Sequence, residues 1–332
     1  MLRLLLPAAA AVVLFAPVAA VAEEVVVYSA RNEHLIKPLF DRYTAETGVE
    51  ISYITDKEGP LLQRLNAEGK RTPADLLITV DAGNLWQAAE TGVLAETDSA
   101  VLETNVPAGL RDPQGRWYGL SRRARTIVYS TERVGPGELS TYEDLADPKW
   151  KGRLCLRTSK KVYNQSLVAT LIARLGEEKA EQVVRGWVDN LAAPPFSNDT
   201  KAMEAVAAGL CDVTIVNTYY FGRLEKDQPD IKLALFWPNQ DSSGVHINVS
   251  GAGITRYAKH PEAALRLLEW LSSVDAQGDF AGLNMEYPVN PAVAPDPTVA
   301  AWGTFEADEL NVTEAGPLQS QAIMLMDRAG YQ

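Results

Sequence analysis

Short apolar runs and helical repeats alternate through the first third of the chain. Val25, Val26, Val27 and Tyr28 form an unbroken run that reads as a buried strand. A polar turn at 29–32 leads into Leu35, Ile36, Leu39, Phe40 and Tyr43, spaced as on one helix face, and Thr47-Gly48 supplies the stop. Residues 49–53 alternate as a second strand, and Gly59-Pro60 precedes an amphipathic helix at 61–68. A third apolar run at 75–80 is followed by helical 82–91, with Asp81 standing where an N-cap belongs. Strands alternating with helices predict βαβ units and a mostly parallel sheet.

The same pattern returns further on. Residues 119–121 and 125–130 read as a strand leaving this first unit, and 154–156 opens a second set. Helices are expected at 164–175, 178–190 and 199–208, a strand at 213–216 and a return strand at 249–255. Pro261 then starts an apolar helix carrying Ala264, Leu265, Leu267, Leu268, Trp270 and Leu271. Trp150, Trp237 and Trp270 read as core, and no internal repeat is visible.

The beginning of the chain follows a different rule. Met1-Leu2-Arg3 gives a short positive start, the stretch to Val21 is apolar, and Ala20-Val21-Ala22 fits small-residue cleavage. A secretory leader cut after Ala22 is expected, placing the remainder in the periplasm. A membrane anchor fits less well, because Pro7 and Pro17 interrupt the stretch. No later segment approaches the ~20 apolar residues of a spanning helix, and no lipobox cysteine follows the leader. From Glu23 to Gln332 there is length for two domains. With 46% hydrophobic and 22% charged residues the composition is globular, and a net charge of −12 argues against a nucleic-acid partner. Cys155 and Cys211 are the two cysteines; an oxidising compartment permits a bridge, and two separate buried thiols are the alternative.

Candidate chemistry sits at Tyr219-Tyr220, just beyond the apolar run 213–216. That position is near a strand's C-terminal end, the rim where open α/β sheets bind ligands. A phenol loses its proton only near pH ~10. A hard trivalent cation such as Fe³⁺ displaces that proton, since metal binding and ligand deprotonation are one equilibrium. Tyr163 offers a third phenol in a segment of similar character. Adjacent side chains point to opposite faces of an ideal strand, so a joint role requires the chain to turn after Asn217. The plainer reading is an aromatic pair packed at a strand end. Enzyme chemistry finds little support: Gly-x-Ser-x-Gly, His-Glu-x-x-His and a phosphate loop are absent, and the three histidines, His34, His246 and His260, are scattered.

Several segments together carry a resemblance. They are Val27-Tyr28-Ser29-Ala30-Arg31, Ala45-Glu46-Thr47-Gly48, Thr72-Pro73-Ala74-Asp75 and Arg123-Ala124-Arg125. Asp147-Pro148-Lys149-Trp150-Lys151-Gly152, Tyr163-Asn164-Gln165-Ser166-Leu167 and Asn217-Thr218-Tyr219-Tyr220 follow. Ser250-Gly251 and Glu286-Tyr287-Pro288-Val289 complete the set. On these the chain resembles the periplasmic ferric-ion-binding proteins of bacterial iron ABC importers. The resemblance implies an α/β type II periplasmic-binding-protein fold, two lobes joined by two strand-like crossovers near 121–130 and 248–255. The lobes would comprise 23–123 with 251–296, and 124–250 with 297–332.

The family binds one Fe³⁺ in the interlobe cleft. Tyr219 and Tyr220 match its paired phenolate ligands, and Tyr163 matches a third used in one branch. Many members also carry a His or Tyr shortly after the first strand; here Asn32 and Glu33 stand there, so that part of the set is missing. A synergistic anion such as (bi)carbonate ranks first to fill the gap, ahead of Glu33, a sound hard oxygen ligand, and His34. Arg123, Arg125 and Arg223 are available to balance an anion's charge, and Asn217 to donate to it or to serve as a cap. The implied partner is an ABC permease of the inner membrane, served by a monomeric carrier. The runner-up is a receptor for a small organic solute, such as a polyamine, thiamine or a phosphonate.

Overall fold

The computed structural model describes residues 23–332; the leader expected over 1–22 lies outside the described residues. β1 (Glu24–Ser29) is followed by α1 (Glu33–Thr47), β2 (Glu50–Thr55), α2 (Glu58–Glu68), β3 (Leu76–Thr79) and α3 (Ala82–Glu90). β1 lies between β2 and β3 and runs parallel to both, with Val27 opposite Tyr53 on one side and Leu76 on the other. The expected apolar face of α1 is buried in full, from Leu35 to Tyr43. Gly48, at φ 76°, closes that helix by donating its N–H to the Thr44 carbonyl, a left-handed turn that favours glycine. Asp81 caps α3, its side chain accepting the Gly83 N–H.

A short α4 (Ala100–Asn105) leads to β4 (Tyr118–Ser130) and β5 (Leu154–Cys155). Next come α5 (Val162–Leu175), α6 (Glu177–Asp189), α7 (Asp199–Ala207), β6 (Val213–Asn217), α8 (Thr218–Asp227) and β7 (Leu233–Phe236). The chain returns through β8 (Ile247–Ile254), α9 (Pro261–Ser272), α10 (Val274–Gly282) and β9 (Tyr287–Pro288), and finishes with α11 (Pro297–Ala301) and α12 (Ala315–Arg328).

One nine-stranded sheet runs in the order β2-β1-β3-β8-β4-β6-β5, with β7 and β9 both joining β4. β4 changes partners along its length. From Tyr118 to Ala124 it pairs with β8, and from Arg125 to Tyr129 with β6. β8 in turn pairs with β3 from Gly251 to Ile254. These two strands therefore join two α/β lobes, as expected of the crossovers.

Trp117 and Trp150 are completely buried in the main core, while Trp237 and Trp270 pack half-buried against it. A second cluster, including Val128, Met203, Val206, Val216 and Phe221, gathers round the disulfide Cys155–Cys211. The bridge ties β5 to the approach of β6, so the alternative of two free thiols falls away. Two expectations need correction. The sheet is not mostly parallel: β1–β2, β1–β3 and β5–β6 are parallel, whereas β3–β8 and every pairing of β4 are antiparallel, because the chain crosses back between the lobes. The polar residues after Asn217 form the first half of α8, and α4, α10, α11, α12, β7 and β9 were not anticipated; α12 packs on α5, α6 and α3.

Candidate metal centre

β6 ends at Asn217 and α8 begins at Thr218, so Tyr219 and Tyr220 occupy the helix's first turn. Neighbours on a helix are about 100° apart rather than opposed, which lets both phenols face one cleft. Their ring centroids lie 4.6 Å apart at a 36° tilt. Tyr219 is buried, and its hydroxyl accepts a hydrogen bond from the Asn217 side-chain amide at 3.1 Å. Tyr163 is placed likewise, in the first turn of α5, and is buried. The three phenols line one cavity of about 460 Å³. Burial, and the nearby Tyr220, push the Tyr163 phenol above its ordinary pKa. Burial, then Tyr163 and Tyr220, hold Tyr219 well above it too. Without a cation these groups keep their protons at neutral pH.

Cations surround the rings. Arg123 lies 5.6 Å from the Tyr163 ring centre, Arg157 5.4 Å and Lys161 4.8 Å. Arg223 sits 5.1 Å from the Tyr219 ring and 4.8 Å from that of Tyr220. All four line the cavity. Such contacts set positive charge against the phenol faces, where the ring quadrupole is negative. At the rim, Lys161 pairs with Glu58 of α2 at 3.5 Å. Among the described residues no group of three or more His, Cys, Asp or Glu side chains is placed to hold a metal. A hard cation held at this place would draw on phenolate oxygen, releasing protons as it bound.

The remaining anticipated residues divide. Glu33 lines the cavity and accepts a hydrogen bond from the Tyr53 hydroxyl at 3.0 Å. His34 does not line it; the side chain lies on the outer surface with Lys37 and Asp41. Arg125 is also away from the cavity. Its guanidinium is buried, donating to Asn164 Oδ1 at 2.6 and 3.0 Å, to Asp199 at 3.1 Å and to Asn217 Oδ1 at 3.0 Å. Asn217 thus caps nothing, linking Arg125 to the Tyr219 hydroxyl instead.

Arg157 was not anticipated. It is 7% exposed, faces Tyr163 and Tyr220, and stands 3.6 Å from Asp199. Its place just beyond β5 is the signal that could have found it, since the rule of strand C-terminal ends applies to β5 as it does to β6.

A profile described as bacterial extracellular solute-binding protein matches residues 71–305. Iron uptake protein A1 of Synechocystis is 44% identical over 316 residues, which span 93% of this chain and 88% of that relative. A Trichodesmium protein (IdiA, FutA), solved in complex with iron and citrate ligands, superposes with a TM-score of 0.90 at 42% identity, covering 93% of this chain and 100% of its own. Ferric iron-binding protein A of Mannheimia haemolytica, solved in an open conformation, gives a TM-score of 0.87 at 36% identity, covering 93% and 99%.

Proposed function

This chain belongs to the periplasmic iron-binding proteins of the ABC iron-transport family, and from that premise we propose that Tyr163, Tyr219 and Tyr220 capture Fe³⁺ as phenolates between the lobes for delivery to an inner-membrane permease. The fold is the type II periplasmic-binding-protein fold, and the chain is a solute-binding protein rather than an enzyme. One observation carries the ligand assignment. Three phenols from two separate helix starts line a single cavity ringed by cations. A ferric ion reverses the balance that keeps Tyr163 and Tyr219 protonated, because its charge stabilises their phenolates more than burial opposes them.

Three phenolates neutralise Fe³⁺ formally. The cavity is many times the ~30 Å³ share of one water, which leaves room for an oxyanion such as (bi)carbonate beside the ion. Arg123, Arg157 and Arg223 would balance its charge, their planar donors suiting an oxyanion. Glu33, one of several carboxylates in the cavity lining, is the side chain we assign as a further oxygen ligand. The proposed lobes, 23–123 with 251–296 and 124–250 with 297–332, are supported by the change of partners along β4 at Ala124–Arg125.

The test is direct. Ferric citrate added to the iron-free protein should give a visible phenolate-to-iron charge-transfer band, and Tyr220→Phe should weaken binding roughly tenfold or more, about 1.4 kcal/mol. A protein that takes up Fe³⁺ and stays colourless would remove the phenolates from the site.

A further inference from the structure

Asp81 is held more elaborately than a helix cap requires. A cap needs one acceptor for one N–H, which a neutral Ser, Thr or Asn supplies as well. Here a fully buried carboxylate does more. Oδ1 accepts the Gly83 N–H and the Ser166 hydroxyl, each at 2.9 Å. Oδ2 accepts the Asn248 side-chain amide at 2.9 Å, and Arg123 stands 3.6 Å away. Asn248 also accepts the Ala82 N–H at 2.9 Å, closing the ring. Burial raises the Asp81 pKa to about 6, against the pull of Arg123, with Glu58 of α2 adding to the rise.

The partners come from four elements. Gly83 belongs to α3 of the first lobe, Ser166 to α5 of the second, and Arg123 and Asn248 to β4 and β8, the strands that join them. Ser166 is buried and lies three residues beyond Tyr163, close to one turn along the same helix face. α12 reinforces the junction. Gln319 donates to the Ser166 hydroxyl at 3.3 Å. Gly316 lies so near α3 that a Cβ there would fall 2.3 Å from the Trp86 ring, so no larger residue fits.

We propose that Asp81 and Ser166 are positioning residues, a buried pin between the lobes that sets the angle at which α5 presents Tyr163 to the phenols of α8. The inference rests on the ferric reading above, since it assigns Tyr163 something to meet. Breaking the pin leaves all three phenols intact but lets α5 settle away from α8, so a captured ion is held less well.

The experiment compares the full chain with Ser166→Ala, Ser166→Thr and Asp81→Asn, the last retaining a capping acceptor. Each is loaded with ferric citrate and challenged with excess EDTA, while the visible band is followed and thermal unfolding is recorded separately. Ser166→Ala and Asp81→Asn should lose iron two- to tenfold faster, as expected for one buried hydrogen bond. Their band maximum should stay in place, and Ser166→Thr should restore the slow rate. Should Ser166→Ala not fold, Asp81→Asn decides by the same reading. Unaltered loss rates in the variants would overturn the pin while leaving the ferric site standing. A parent protein that never colours would instead overturn the reading beneath it.

Discussion

Asp199 shows how single buried residues shape the site without touching its cavity. The carboxylate is fully buried and takes donors from Arg125 and the Asn217 backbone, with Arg157 close by. Two guanidiniums share it, so positive charge remains beside the phenols, ready to face an anionic ligand set. Losing one member of such a buried pair strands the other, at a cost of ~3–5 kcal/mol. His246 is a different case, a buried imidazole at the entry to β8, within 3.1 Å of the Thr170 hydroxyl. Burial lowers its pKa from 6.5 to about 3, with Asp308 pulling upward and Arg125 and Arg123 downward. The unfolded chain therefore takes up a proton below pH 6.5 that the folded protein refuses until about pH 3, and stability falls as pH drops through that window. Asp81 acts oppositely: its pKa rises on folding from 3.8 to about 6, so its share of stability grows as pH falls between those values. We expect His246→Gln to flatten the decline of the urea midpoint between pH 7 and 4. A variant declining as steeply as the parent would show that other groups govern acid unfolding.

At the scale of elements, the disulfide and α8 deserve comparison. Cys155–Cys211 closes a loop of 56 residues and braces β5 against β6, the strand that delivers Tyr219 and Tyr220. A loop of that length corresponds to about 4 kcal/mol of stabilisation on the chain-entropy account. The double change Cys155→Ser, Cys211→Ser should lower the unfolding free energy by roughly 2–5 kcal/mol while the iron band survives in the folded protein. An unchanged denaturation midpoint would mean that the β5–β6 pairing suffices without the bridge. Elements with strong repeats were legible beforehand: β1 through α3, the helices α5 to α7, β6, β8 and α9 all lie within a few residues of their expected places. The exceptions have physical causes. α8 begins with Thr218, Tyr219, Tyr220 and Phe221, residues of middling helix propensity placed directly after a strand. α12 was missed because its buried face is sparse, Ala322, Leu325 and Met326 after Gly316 and Pro317, and its helical state depends on packing against α5 and α3.

For the whole molecule, β4 and β8 run from one α/β lobe into the other, the arrangement from which hinge closure arises. A compact chain of this length has a radius of gyration of roughly 20 Å. X-ray scattering should show that radius falling by a few per cent when ferric citrate is added, and staying put with Tyr219→Phe, Tyr220→Phe. An equal contraction in the doubly substituted protein would detach closure from phenolate capture. By itself the sequence determined most of the local elements and the residue types able to meet a hard cation, because hydrophobic period and side-chain chemistry are properties of neighbouring positions; the two-lobe plan was implied by the resemblance to a family, not by period. Only the tertiary structure decided that Tyr163 and Tyr220 share a cavity with Arg157, that Arg125 lies behind it and His34 outside it, and that Asp81 reaches Ser166. Those relations join residues dozens of positions apart, and they depend on the angle between helices and the partners a strand takes, quantities that no short stretch of chain contains.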